Sequence, residues 1–305
     1  MRPTEMRPTE INLTLLLHAD LRSLVGSKPT SENLGLLFEK LVADLRKGGW
    51  KQGDNVKRKL PGVHKALDHI ANTWNDAKCR NAVRGGLSAF VARQSSAAQE
   101  LAGFLGAAHL TFNAELSSRL AIGMGNASVY ENGLTLHHTL GVPYIPGSAI
   151  KGIVLNWLWE RLEWVELEEK AGISPKGKEL PDEVWAVFGK QNHQGLAQFW
   201  DALPVSPPRM VVDIMNPHFG DYYQGGKNDP PGDWLDPKPV FFLTAAPGVT
   251  FRGHILLRRG RDCSDEESTR RLELLKLWVK GALEDWGAGG KTRSGYGQFK
   301  SVGWD

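Results

Sequence analysis

Cysteine is almost absent from this sequence, with only Cys79 and Cys263 among 305 residues. The two lie far apart and in no C-x-x-C pairing, so neither a disulfide framework nor a thiolate zinc site is indicated, and a reducing cytoplasm is the expected setting. Long apolar runs are missing as well. None approaches the roughly 20 residues needed to cross a bilayer, and 41% hydrophobic with 23% charged residues is the composition of a soluble globular chain. The first residues, Met1-Arg2-Pro3-Thr4-Glu5, repeat as Met6 to Glu10. They are too polar for a secretory signal and read as a disordered tail over residues 1–10. Charge of one sign is also lacking, since the net charge is only +3. Its distribution is more informative: eleven basic residues against Asp54, Asp68 and Asp76 lie between Arg46 and Arg93, while Glu160 to Glu183 is acidic. A block of this kind is either a solvated face or a surface for a polyanion.

Glycine is abundant where basic residues gather near the C-terminus, in Gly287-Ala288-Gly289-Gly290-Lys291-Thr292-Arg293-Ser294-Gly295-Tyr296-Gly297. Such a loop can bring its backbone close to a phosphate-bearing ligand while Lys291 and Arg293 supply charge. Gly290-Lys291-Thr292 imitates the end of a nucleotide-binding P-loop, but the first glycine of that motif would fall on Asp285. A P-loop also follows a strand and opens a helix, whereas here a helical run (Leu272, Leu275, Trp278, Val279, Leu283) comes first and a strand (Gln298 to Val302) follows. An ATPase is therefore not expected. A helix-to-strand turn with incidental charges is the plain alternative.

Residues 11–105 read as helical, with apolar stripes at Leu34, Leu37, Phe38, Leu41, Val42, Leu45 and at Val63, Ala66, Leu67, Ile70, Ala71, Trp74. A polar loop from Lys47 to Gly62 separates them and carries Lys51, Lys57, Arg58 and Lys59; a further helix spans about Ala82 to Leu105. At Leu110 the period changes to alternation, predicting a strand that runs through Ile122 into Gly123-Met124-Gly125-Asn126, then a hairpin over Val129 to Leu136. Ser148 is read as the N-cap of a helix striped by Ile150, Ile153, Val154, Trp157, Leu158, Leu162 and Val165. A short helix is expected at Val184 to Phe188, and a strand at Leu196 to Trp200 with Met210 to Ile214 as its hairpin partner. Pro217 to Pro239 is a long polar loop. Val240 to Leu243 and Thr250 to Leu257 are predicted to pair around Pro247-Gly248, and Ser264 with Glu267 forms a capping box for the last helix. The expected architecture is α+β: a helical segment over 11–106, then a ferredoxin-like domain over 107–305, whose open sheet face is the RNA platform of RRM domains.

Three stretches carry a family resemblance. Tyr144-Ile145-Pro146-Gly147-Ser148-Ala149-Ile150-Lys151-Gly152, Phe199-Trp200-Asp201-Ala202 and Lys291 to Gly297 resemble the RAMP proteins of CRISPR–Cas systems. Val212-Asp213-Ile214-Met215-Asn216-Pro217-His218, with Tyr222-Tyr223 and Pro239 to Leu243, is similar to the sixth-subunit family of type III-B (Cmr) effector complexes. The resemblance implies a non-catalytic subunit that binds crRNA near the 3′ end of the guide-bound backbone. Its implied partners are crRNA and, through the complex, target RNA, together with the repeating backbone RAMP, the small helical subunit, another capping RAMP and the large polymerase-like subunit. No membrane and no cofactor enter.

On this reading guide phosphates lie along Gly289, Gly290, Thr292 and Ser294 and the turn at Gly125 and Asn126, with Arg119, Lys151, Lys291 and Arg293 as charge partners and Tyr296 stacking. Lys151 also sits at a helix N-terminus, which favours phosphate. The alternative is a RAMP-type endoribonuclease using His137, His138 or Asp213. Adjacent histidines in a strand face opposite sides, and no lysine or tyrosine partner is identifiable by spacing. Asp213 with His218 falls short of three metal ligands. The tryptophans of the apolar stripes, Trp157, Trp164 and Trp278, are expected in the core.

Overall fold

The computed structural model describes residues 63–128, 130–169, 180–219, 237–260 and 263–305, preceded by a short antiparallel strand pair, β1 (Thr14–Leu15) with β2 (Ala43–Asp44); residues 162–169 are described by their backbone alone. Thr14, Leu15, Ala43 and Asp44 were expected inside a helical segment and instead pair as strands. The apolar run Leu41-Val42-Ala43 fits either period, and so short a run is not assigned by periodicity. The tail over 1–10, the rest of the first stripe, the basic loop at 47–62 and the centre of the 217–239 loop lie outside the described residues.

From residue 63 the chain is helical. In α1 (Val63–Asn75) the buried residues are Val63, Ala66, Leu67, Ile70, Ala71 and Trp74, the six that define its apolar stripe. Asp76 interrupts the backbone and its carboxylate accepts the Lys78 N–H at 2.8 Å, opening α2 (Ala77–Leu105), which stops at Gly106 in the left-handed region. Then follow β3 (Ala107–Leu116), α3 (Gly147–Glu169), α4 (Asp182–Phe188), β4 (Gly189–Lys190), β5 (His193–Gln194), β6 (Ala197–Phe199), β7 (Leu203–Pro204), β8 (Met210–Met215), β9 (Val240–Ala245), β10 (Thr250–Arg258), α5 (Asp265–Trp286) and β11 (Phe299–Trp304). The capping box is half formed: Ser264 Oγ accepts the Glu267 N–H at 3.1 Å, while the Glu267 carboxylate turns to Arg271.

The main sheet has five antiparallel strands in the order β11-β3-β10-β6, with β7 also on β10. Counting β6 and β7 as one interrupted strand, this is the fourth-first-third-second order of a ferredoxin-like βαββαβ unit, with α3 and α5 as its two helices. Two expected pairings are corrected. β8 pairs with β9 rather than with β6, and β10 pairs with β3 and β6/β7 rather than with β9. Both edges of β10 are taken along its length, so β8 and β9 form a separate ribbon, tied to the sheet side by a bridge between Leu120 and Ala245. β3 ends at Leu116 instead of continuing to Asn126. The expected hairpin beyond it is an irregular loop closed by Thr135 N–H on Ile122 O (3.0 Å) and Gly133 N–H on Met124 O (3.3 Å).

One face of the sheet carries Leu110, Phe112, Ala114, Leu116, Phe251, Ile255, Phe299 and Val302, all buried in one core with Val154, Trp157, Leu275, Trp278 and Val279 of α3 and α5. The opposite face is polar and partly covered by α2. Ala98 and Ala102 of that helix pack on Leu256, and Ser95 Oγ lies 3.2 Å from His254 Nε2. α1 covers the β8–β9 ribbon. Its end is pinned by Trp74 Nε1–H donating to Pro208 O at 2.7 Å and by Asn75, whose amide exchanges hydrogen bonds with both backbone groups of Met210 at 2.7 and 2.8 Å. At the outer edge of the sheet, the Val302 N–H of β11 donates to Glu284 Oε1 of α5 at 2.9 Å.

Candidate functional site

The glycine-rich loop links α5 to β11 and folds back on itself. Ala288 N–H donates to Gly297 O at 2.9 Å, Gly297 N–H to Arg119 O at 2.7 Å and Gly290 N–H to Ala121 O at 2.7 Å. The loop is thereby clamped to the strand-like segment 119–121. Gly289 is needed for this clamp: its φ is +89°, and a Cβ there would lie 2.5 Å from Ala121 O. Gly295 is also at positive φ, +85°, but a Cβ would meet only open space. Lys291 itself takes a left-handed φ of 59° and opens a single 3-10 turn, Thr292–Ser294. Backbone within the loop is thus spent on closure and on the 119–121 contact, while the rim at 291–295 faces outward.

Two of the expected residues converge on a third. Arg119 Nη1 lies 2.5 Å from Asp213 Oδ2, and Tyr296 Oη–H donates to the same oxygen at 2.8 Å, so the loop, the 119–121 segment and β8 meet at one carboxylate. The Ile214 N–H donates to Oδ1 at 2.9 Å. Burial alone would raise the Asp213 pKa, but the hydrogen bonds from Arg119, Tyr296 and Ile214, with the guanidinium charge, hold it below the usual carboxylate range. The same contact raises the Tyr296 hydroxyl, first through burial and then through the Asp213 carboxylate, with Arg119 opposing. Tyr296 also packs on Phe242 at 5.8 Å between ring centroids, so its ring is part of this junction rather than a free stacking platform. Arg119 keeps part of its guanidinium exposed.

The turn expected beside the loop is there. Gly290 faces Met124, whose Sδ would lie 3.5 Å from an added Cβ, which sets Gly125 and Asn126, both exposed, next to the rim. The Arg293 side chain is 96% exposed, with the Glu160 carboxylate 3.9 Å away. Lys291, Thr292 and Ser294 are exposed or half-buried on the same rim. Lys151 is not part of this group. It sits at the start of the second turn of α3, whereas Arg293 lies near Glu160, nine residues on or ~13 Å along the helix. Ser148 is not the N-cap either. The helix starts at Gly147, whose N–H is taken by Asp201 Oδ1 at 2.8 Å, so a carboxylate already occupies the helix end where a phosphate was expected.

Asp285, the residue that breaks the P-loop pattern, has a structural task. It accepts Trp157 Nε1–H at 2.9 Å and Arg161 at 2.8 Å, locking α3 to α5 directly below the loop. His137 is wedged between Phe90 of α2 and Tyr144, at 4.9 and 6.0 Å between centroids, and its Nδ1 accepts the Leu140 N–H at 3.3 Å. Its pKa is lowered chiefly by burial. The carboxylate junction at Asp213 is the feature sequence reasoning missed. The only hint was that Asp213 is polar within an otherwise apolar strand, a signal equally suited to the catalytic or metal roles considered for it.

The sequence profile of the RAMP superfamily matches residues 113–300, the ferredoxin-like unit just described. The chain is 35% identical over 237 residues to the CRISPR system Cmr subunit Cmr6 of Pyrococcus furiosus, covering 62% of this chain and 67% of that one. It is 30% identical over 133 residues to the Cmr6 subunit of Saccharolobus solfataricus, covering 43% and 38%. A chain of the type III-B Cmr-beta complex bound to cognate target RNA superposes with a TM-score of 0.50 at 21% identity, over 82% of this chain and 78% of the other. That likeness bears on the fold alone.

Proposed function

The chain belongs to the RAMP superfamily, and from that membership we propose that it is a subunit of a type III-B (Cmr) CRISPR effector complex that binds the guide RNA without cleaving it. Its place is near the 3′ end of the guide-bound backbone, beside the repeating RAMP, the small helical subunit, a second capping RAMP and the large polymerase-like subunit. The observation that carries this reading is the 35% identity to a Cmr6 subunit over 237 residues. Guide phosphates run along the rim of the glycine loop, neutralised by Arg293 and Lys291, with Arg119 at the near side and the Gly125-Asn126 turn flanking it. These are backbone contacts and carry no sequence preference.

The non-catalytic part of the proposal is supported by the surroundings of the candidate catalytic groups: His137 is packed between two aromatic rings, and Asp213 is engaged by Arg119 and Tyr296. No helix among the described residues is long and apolar enough to cross a membrane, and a cytoplasmic complex is proposed. The test is a salt titration of guide-RNA binding by the assembled complex. Lys291→Ala with Arg293→Ala should weaken binding of every guide alike and flatten the slope of log K against log salt by about 1.4 to 1.8, two phosphate contacts. Unchanged affinity and slope would reduce the loop to a turn. Incubation with labelled guide and target RNA, with and without magnesium, checks the other half; cleavage that vanishes in His137→Ala or Asp213→Ala would make the chain a ribonuclease.

A further inference from the structure

A pocket of about 320 Å³ opens between α4, the β4–β5 hairpin and the start of α5, lined among others by Asp182, Trp185, Lys190, His193, Gln194 and Arg271. It is remote from the glycine loop. Arg271 is in the second turn of α5 and the loop begins at Gly287, so the two are ~24 Å apart along the helix axis. The pocket belongs to none of the residues assigned above.

Its chemistry is divided by side-chain type. Trp185 is half-buried, its ring held edge-on by Trp159 at 6.3 Å, which fixes an aromatic surface at the wall. Lys190 is exposed at the hairpin. Arg271 is held on one side by the Glu267 carboxylate and Cys263 Sγ, and its Nε is buried with no hydrogen-bond partner among the described residues. A buried guanidinium N–H without a partner is a standing demand for an acceptor. The acidic lining residue is Asp182, at the exposed rim, where a carboxylate suits a ribose hydroxyl as it does in dinucleotide sites. Aromatic surface for a base, Lys190 beside the Glu267-paired Arg271 for a phosphate, and a carboxylate for the sugar match the three parts of one ligand. The volume of about 320 Å³ lies in the range of small-molecule sites.

We propose that this pocket binds one nucleoside monophosphate unit, its base against Trp185 and its phosphate at Lys190 and Arg271. The unit comes either from a free nucleotide or from an unstacked residue of a single RNA strand. The site stands independently of guide binding at the glycine loop.

The experiment is calorimetric titration of the full-length protein with AMP and, separately, with an oligoadenylate of ten nucleotides, using inorganic phosphate as the control anion. Wild type, Lys190→Glu, Trp185→Leu and Lys291→Ala/Arg293→Ala are compared, each checked for an unchanged thermal melt. Lys190→Glu is the principal variant because the side chain is exposed and supports no packing. AMP should bind more tightly than phosphate, with about tenfold loss in Lys190→Glu and in Trp185→Leu, since stacking and charge are both removed from the site, and no loss in the loop variant. Binding of the oligonucleotide that is tighter than AMP and shares these losses assigns the pocket to an RNA strand; the reverse order assigns it to a free nucleotide. Should neither ligand bind, or should binding be unmoved in Lys190→Glu and Trp185→Leu, the pocket is not a nucleotide site, and the loop assignment is untouched.

Discussion

The two faces of the central sheet are covered by different means. On one face Phe112, Phe251, Ile255 and Leu116 meet the apolar stripes of α3 and α5, and burial of area does the work. On the other, α2 comes close with small residues, Ala98 and Ala102, over Leu256, and the contact is completed by a polar cluster. His254 is fully buried, with Nδ1 at 3.1 Å from both His109 Nε2 and Thr111 Oγ1 and with Nε2 on Ser95. Further along this face Arg252, Asn113 and Asp305 form a partly exposed network. The first face is a core that any apolar filling of the right volume would serve, while the second depends on particular hydrogen bonds and on the protonation state of a histidine. It also means that the RNA platform expected from RRM domains is closed at its His254 end by the chain's own helix.

The contrast can be broken most severely at Phe112, which is 1% exposed and packs edge-on to Trp304. Phe112→Ala should cost about 3–5 kcal/mol in denaturant unfolding at any pH. The second test is pH itself. Burial, then the neighbouring His109 and Arg252, lower the His254 pKa to about 4, with Asp305 opposing. A depressed histidine favours the neutral form in the folded state, so its contribution is fully present above about pH 6.5 and is lost as the pH falls toward 4, up to about 3 kcal/mol. His109, also lowered by burial, adds in the same direction. Thermal melts from pH 7.5 to 4.5 should therefore fall more steeply for wild type than for His254→Gln, and identical slopes would remove the histidine from the α2 contact.

Smaller still is the glycine rim. Gly295→Ala should destabilise by about 1 kcal/mol, through its positive φ alone, because there is room for the Cβ. Smallest of all is the open end of the polar face, where Asn113→Ala should change stability by about 0.5 kcal/mol or less, since its partners remain solvated. An Asn113 effect equal to that of Phe112 would erase the distinction between the two faces.

What could be read from the chain follows the same division. The stripe of α1 names all six of its buried residues, and Ser264 caps α5, because both depend on neighbours within one or two turns. The order of strands and helices yields the ferredoxin-like unit. Pairing partners were misread where a choice had to be made between strands that each carry an apolar face: β8, β9 and β10 all do, and which edges remain free is decided only once β3 has taken β10. The Arg119–Asp213–Tyr296 junction joins positions 94 and 83 residues apart, and no local pattern marks it. His254 reads as one of several polar residues alternating along β10, and its burial depends on a helix some 160 positions earlier placing Ser95 above it.

The hydrogen bond from Val302 to Glu284 bears on how copies of this protein behave when crowded together. β11 is the outer strand of the main sheet, and an outer strand with free N–H groups is a template for endless stacking of one chain on the next. Here the middle of that strand already gives its hydrogen to a side chain of the same molecule, and the carboxylate beside it confronts any incoming carbonyl with like charge. Sheet extension at the β11 edge is thus opposed from within the molecule.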